Sequence, residues 1–146
     1  MKLNEFDFRI WDGKRYVDNL KGGIYIHKID EHIKCLKRNQ VCYDYEFALE
    51  DVGNSNLNIE LFTGLYDINN KKIYEGDIIK YVYVFKHNLL NKDRLKKLPK
   101  KVSIGYIEAD NFLGFRILKN KELKCFMQDI IDIEVIGNIH ENKELL

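Results

Sequence analysis

Apolar and polar residues alternate along this chain in short bursts separated by turn-forming residues, the spacing of strands rather than of helices. The strongest burst is Ile78 to Phe85 (IIKYVYVF), β-branched and aromatic, too short for a helix and free of caps. The stretch leading into it reads as strand, turn and strand. Ile59, Leu61 and Thr63 alternate with Glu60 and Phe62 until Gly64 breaks the run. Asp67 to Lys71 has the composition of a tight turn, because Asp bonds its own downstream backbone and Asn tolerates a left-handed φ. Ile73 and Tyr74 restart the apolar run, and Glu75-Gly76-Asp77 interrupts it. Gly76 is free to take a conformation barred to other residues, and Asp77 is placed to accept a nearby backbone N–H. The expectation is a β-hairpin feeding a central strand.

The same spacing recurs on both sides. Phe6, Phe8 and Ile10 alternate with Asp7 and Arg9, Asp12-Gly13 is a two-residue hairpin signal, and Tyr16-Val17 reads as the return. Ile24 to Ile29 follows Gly22-Gly23 as another strand. From Asp30 to Gln40, Ile33, Leu36 and Lys37 fit a short helix capped by Asp30, while Ile33, Cys35 and Lys37 fit a strand. The β-like composition of Val41 to Phe47 favours the strand. Gly53 to Asn56 is a loop. Val102 to Glu108 alternates again, Asp110-Asn111 turns, and Phe112 to Leu118 returns. Phe126 and Met127 lead into Ile130 to Ile136, and Asn142 is a candidate cap for a last turn through Leu145.

Short strands at close spacing predict a mainly β fold with little helix, in the form of a small, partly open barrel. The order of Gly-Asp, apolar strand, excursion, strand with an internal glycine, turn and strand is similar to the middle of an SH3-like barrel, here over 73–118. At 146 residues, with no repeat and no composition break, one domain over 1–146 is expected. Aromatic content of 12% with a single Pro supports order and strands.

No apolar run approaches the roughly 20 residues of a membrane helix, and Met1 to Glu5 has no apolar segment behind it, so a soluble, cytoplasmic protein is expected. Three cysteines without a Cys-x-x-Cys spacing fit a reducing compartment rather than a disulfide framework. Charge is unevenly spread. The excursion at 86–101 holds seven basic residues and one acid, a local +6 that leaves the rest at −5 within a net charge of +1.

Each candidate chemistry has an ordinary competitor. Glu75 and Asp77 flanking Gly76 resemble paired carboxylates, yet acids beside a glycine bend more often satisfy backbone N–H groups, and that reading is preferred. His27, His32, Cys35 and Cys42 supply enough atoms for zinc, but their spacing matches no usual finger or knuckle, so neither metal nor cofactor is expected. Ser55 and Ser103 are the only serines and neither lies in a nucleophile elbow; there is no P-loop and no dinucleotide fingerprint. A metal- or cysteine-dependent enzyme is the least favoured class. Lys86, Lys92, Arg94, Lys96, Lys97, Lys100 and Lys101 are dense enough to hold a phosphate backbone or an acidic partner, with Tyr81, Tyr83 and Phe85 as stacking candidates.

Three blocks carry a family resemblance. They are Phe6 to Lys14 (FDFRIWDGK), Thr63 to Asp67 (TGLYD) with Ile73 to Ile78 (IYEGDI), and Glu134 to Ile139 (EVIGNI) with Glu141-Asn142 and Glu144 to Leu146. Together they resemble the YopX family of phage and prophage proteins, in the family's order and over the whole chain. Trp11, Asp12, Gly64, Asp67, Tyr74, Glu75, Gly76, Asp77, Gly137 and Asn138 are the signature positions, expected to be structural. The chain departs from the pattern at Asn70, where the family usually has Gly, at His140, where Tyr is common, and at Lys143, where Pro usually starts the last turn. The resemblance implies a phage or prophage origin, a mostly β domain and no catalytic residues. The function expected is a non-enzymatic binding module, foremost a self-assembling protein-interaction domain that forms a homo-oligomer and is open to a host or phage protein. The alternative is a nucleic-acid binder using 86–101.

Overall fold

At Gly76, φ is +79° and the chain bends into the strand expected to follow it. The computed structural model describes residues 5–17, 24–29, 32–38, 49–51, 57–83, 101–110 and 114–146. Its strands are β1 (Phe8–Trp11), β2 (Ile24–Ile29), β3 (His32–Arg38), β4 (Leu49–Asp51), β5 (Asn58–Tyr66), β6 (Lys72–Tyr74), β7 (Asp77–Tyr83), β8 (Val102–Asp110), β9 (Gly114–Lys119), β10 (Glu122–Phe126) and β11 (Ile130–Asn138). Helix among the described residues is limited to short 3-10 turns, including Met127–Asp129 and Lys143–Leu145. The ambiguous stretch resolves as strand at β3. Val41 to Phe47 and the loop Gly53 to Asn56 lie outside the described residues.

The chain divides into two compact units, Met1–Asp7 with Leu61–Leu146, and Phe8–Glu60. In the larger unit, five antiparallel strands form a sheet in the order β10-β9-β8-β7-β11. β7 lies inside this sheet and is buried on both faces except at Lys80 and Tyr83, which is why it reads as a continuous apolar run. Ile73, Ile79, Tyr81, Ile107, Ile117, Cys125, Met127 and Ile130 form the core of this unit. Gly105 sits in β8 under Ile117, where a Cβ would lie 2.7 Å from the Ile117 side chain and 2.7 Å from the Leu118 carbonyl oxygen.

The expected SH3-like barrel over 73–118 is not closed. β10 and β11 are the two edges of the sheet, and no ladder joins them among the described residues. The outer side of β11 is engaged by the 67–71 turn, since Ile68 N–H donates to the Ile133 carbonyl at 2.9 Å. The fold is mainly β.

Two hairpins differ from expectation. Asp12-Gly13 does close one, but over four residues, with a single bridge between Trp11 and Tyr16. A second, unexpected, joins β9 to β10 through Asn120 and Lys121, at φ 54° and 64°, the left-handed pair of a two-residue hairpin turn. Gly64 does not end its strand: it bulges β5 at φ +82°, and pairing with β6 resumes at Tyr66 opposite Lys72.

In the smaller unit, β2, β3 and β4 form a sheet in that order. Ile10, Val17 and Cys35 are its buried cluster, with Phe8 and Leu57 packed against them.

Candidate functional site

The signature residues of the larger unit hold backbone. Asp67 is buried, and its Oδ1 accepts the N–H groups of Asn69 (2.8 Å) and Lys71 (2.9 Å) while Asn70 takes φ 61° between them. Its Oδ2 accepts the N–H of Val135 at 3.1 Å, so one carboxylate shapes the turn and seals it to β11. Burial pushes this carboxyl up, but the bonds from Lys71, Val135 and Asn69 outweigh it and hold it below the usual value.

Asp77 is 1% exposed and accepts the Tyr74 N–H at 2.8 Å through Oδ2, while Glu75 accepts the Ala109 N–H at 3.2 Å. Gly76 N–H donates to the Ile107 carbonyl (2.8 Å), and its carbonyl accepts from Ile139 N–H (2.9 Å). The Glu-Gly-Asp step thus stitches β8 and the end of β11 to one bend, with both acids turned to backbone donors. Tyr74 reaches Asp7, its hydroxyl donating to Oδ2 at 2.8 Å beside the Lys72 ammonium at 2.6 Å.

Gly137 and Asn138 close the chain in the same manner. The Asn138 Oδ1 accepts the N–H groups of His140 and Glu141, each at 3.0 Å, and its Nδ2 donates to Glu141 at 2.6 Å. Asn142 makes no side-chain cap for the last turn; its Oδ1 instead accepts the Asn138 N–H at 3.2 Å. A Cβ on Gly137 would lie 2.7 Å from that same oxygen.

In the smaller unit, the Asp12 Oδ1 accepts the N–H groups of Lys14 (2.8 Å) and Arg15 (2.9 Å), and these bonds, Arg15's first, lower its carboxyl. Trp11 is buried edge-on to Tyr16 at 5.1 Å. Beside them is a group that patterning did not disclose. Glu60, 4% exposed, accepts from Arg9 Nε at 2.6 Å and from the Tyr16 hydroxyl at 3.1 Å. The Arg9 guanidinium lies 4.6 Å from the Tyr16 ring centre, which is cation–π range. A charged residue alternating with Ile59 and Leu61 looks solvent-facing; Arg9 and Tyr16, far away in sequence, help to make its burial tolerable.

Of the basic set, Lys86, Lys92, Arg94, Lys96, Lys97 and Lys100 lie outside the described residues, as does Phe85; Lys101 is described and exposed. Tyr81 is too buried to stack on a ligand, being 3% exposed with its hydroxyl hydrogen-bonded to Cys125. Tyr83 is exposed at the end of β7. Of the four zinc candidates, Cys42 lies outside the described residues, and His32 is exposed while Cys35 is buried on the same strand. No group of three or more metal-ligating side chains occurs among the described residues. No described helix is long and apolar enough to cross a membrane.

The larger unit's surface carries large apolar side chains in the open. Leu65, Tyr66 and Ile68 stand out around the 67–71 turn, Tyr83 and Val102 at the mouth of the excursion, and Leu123 on β10. Leu123 lies on β10, the edge that pairs with no further strand among the described residues.

A family model described as YopX protein matches residues 7–146. Among solved structures, the crystal structure of protein EF1440 from Enterococcus faecalis is similar over 97% of this chain and 97% of that one, at 24% identity and a TM-score of 0.52, a likeness of fold alone. No curated protein matches. With the family's pattern running through nearly the whole chain, from Asp7 to Leu146, this protein belongs to the YopX family.

Proposed function

We propose that the chain is a phage- or prophage-derived, non-enzymatic binding module of the bacterial cytoplasm, whose first partner is itself. The observation that carries this reading is the asymmetry of the five-stranded sheet. One edge, β11, has its outward backbone engaged by Asp67 and Ile68; the other, β10, has no partner among the described residues and presents Leu123. An uncovered edge strand with an exposed apolar side chain is a ready template for pairing. The SH3-like reading of 73–118 is supported by the order of its strands and by the long excursion between β7 and β8. Light scattering on the full chain tests the assembly: a mass well above 17.4 kDa that persists in high salt is expected, and a monomer at every concentration would remove the reading.

Nucleic-acid binding is the second reading, favoured by one observation. The pairing of Val82 with Val102 brings exposed Tyr83 and exposed Lys101 to the end of the sheet where the +6 excursion departs. It predicts a gel shift with DNA or RNA that weakens steeply with salt and is lost when Lys96, Lys97, Lys100 and Lys101 become Glu. No shift at low salt would dispose of it.

A further inference from the structure

Four residues form one row across the five-stranded sheet. Ile78 pairs with Tyr106, Tyr106 with Leu118, and Leu118 with Leu123, so their side chains share a face. Exposure along the row is 0% at Ile78 and 6% at Leu118, then 51% at Leu123. The row reaches the edge of the sheet and stops uncovered. A bulge produces this arrangement. The register of β10 on β9 shifts between Leu123 and Cys125, so Cys125 pairs with Ile117 on the core face while Leu123 stays with Leu118 on the other. Leu123 is flanked by Glu122 and Lys124, which bond each other at 2.7 Å.

Resting on the self-assembly reading above, we propose that β10 of a second copy of this chain occupies the edge, paired antiparallel about Leu123. In that register Leu123 meets the partner's Leu123, and the apolar row continues through the contact into the second sheet. Glu122 then stands opposite the partner's Lys124, and Lys124 opposite the partner's Glu122. Moving the centre to Glu122 or to Lys124 sets two like charges directly opposite one another, which is destabilising. The strand is therefore complementary to itself in one register and repelled in its neighbours. The contact is isologous and closes as a dimer rather than propagating. The bulge at Lys124 keeps the flat edge short, and the lysine deters other strands from adding there. In the paired register the partner's Glu122 stands opposite this lysine, in addition to the carboxylate of its own chain.

The test is the mass of the full chain by light scattering and sedimentation over a concentration series, for four proteins. The wild type is expected to dimerise. Leu123→Lys, Glu122→Lys and Lys124→Glu are expected to remain monomeric at the same concentrations with unchanged far-ultraviolet spectra, because all three sites are exposed. An equimolar mixture of the Glu122→Lys and Lys124→Glu proteins is expected to regain the dimer mass, since each then offers the charge the other lacks. A wild-type oligomer whose mass is unaltered by Leu123→Lys and by both charge changes overturns the β10 contact and leaves self-assembly standing. A wild type that is monomeric throughout overturns both.

Discussion

The carboxylate of Asp67 accepts the backbone N–H of Val135 at 3.1 Å, joining positions 68 apart in the chain. The same side chain organises the turn that follows it, through Asn69 and Lys71. A residue that looks like simple turn chemistry therefore also covers an edge of the main sheet. Two of the signature blocks, around Asp67 and around Val135, meet at this one carboxylate.

Replacing Asp67 separates the two roles. In Asp67→Asn, Oδ1 is retained for the turn, but an amide faces the Val135 N–H and leaves a buried donor unmet. A loss of about 1–3 kcal/mol is expected in urea unfolding followed by circular dichroism. Asp67→Ala removes both contacts and loses more. The carboxyl is lowered in the folded state, so its contribution is complete above its ordinary value of 3.8 and is lost as pH falls through the folded value. The wild type is expected to lose stability below about pH 4, and Asp67→Asn to lose less over that range. Parallel acid curves would refute the assignment.

Two glycines, Gly105 and Gly13, are expected to respond differently to a side chain. A Cβ at Gly105 meets the Leu118 carbonyl oxygen and the Ile117 side chain, each at 2.7 Å, and backbone cannot step aside cheaply. Gly105→Ala is expected to destabilise by about 1–3 kcal/mol, as overpacking does. Gly13 has open space around it and φ +94°, so Gly13→Ala incurs only the conformational penalty of roughly 1–2 kcal/mol. Thermal unfolding distinguishes collision from backbone strain: Gly13→Asn, a residue that tolerates positive φ, is expected to lose less than Gly13→Ala, whereas Gly105→Asn is expected to lose at least as much as Gly105→Ala.

The central strand, the turn at Asp67 and the bend at Gly76 were legible because each rests on local chemistry: a β-branched run, an acid before two asparagines, a glycine between acids. β10 was not legible. Its turn uses Asn120-Lys121 in left-handed conformations, and lysine in the second place hides a signal that glycine would have announced. The burial of β5 was hidden for a different reason. Ile59 is 42% exposed while Glu60 is buried, an inversion of hydrophobicity that depends on Arg9 in another strand. Partners distant in sequence leave no periodic trace. The open edge at Leu123 shares this property, since it follows from a bulge that only strand pairing reveals.

Cysteine chemistry separates a structural thiol from a reactive one. Cys125 is buried, and burial pushes its thiol up while the Tyr81 hydroxyl works against that shift. Cys35 is buried as well. Thiolate is the reacting form, so neither is expected to react with a disulfide reagent at pH 8 in the folded protein. In a Cys42→Ser variant, both thiols should appear only as denaturant unfolds the chain. Rapid labelling of either without denaturant would reopen the cysteine-nucleophile reading.

The ion pair between Arg9 and Glu60 gives the sharpest test of the smaller unit. Their side chains are 13% and 5% exposed, and the nitrogen–oxygen distance is 2.6 Å. Removing one partner strands the other charge away from water, so Glu60→Ala is expected to destabilise by about 3–5 kcal/mol. Glu60→Gln keeps an acceptor for Arg9 and the Tyr16 hydroxyl and should fall between that variant and the wild type. Replacing both, as Arg9→Met with Glu60→Leu, removes the stranded charge and restores apolar packing, so most of the loss should be recovered. Trp11 is the only tryptophan of the chain and is packed against Tyr16, so its fluorescence follows this unit through denaturation. If the double variant were as unstable as Glu60→Ala, the contribution would lie in specific hydrogen bonding, and Tyr16→Phe would then lower stability by a comparable amount.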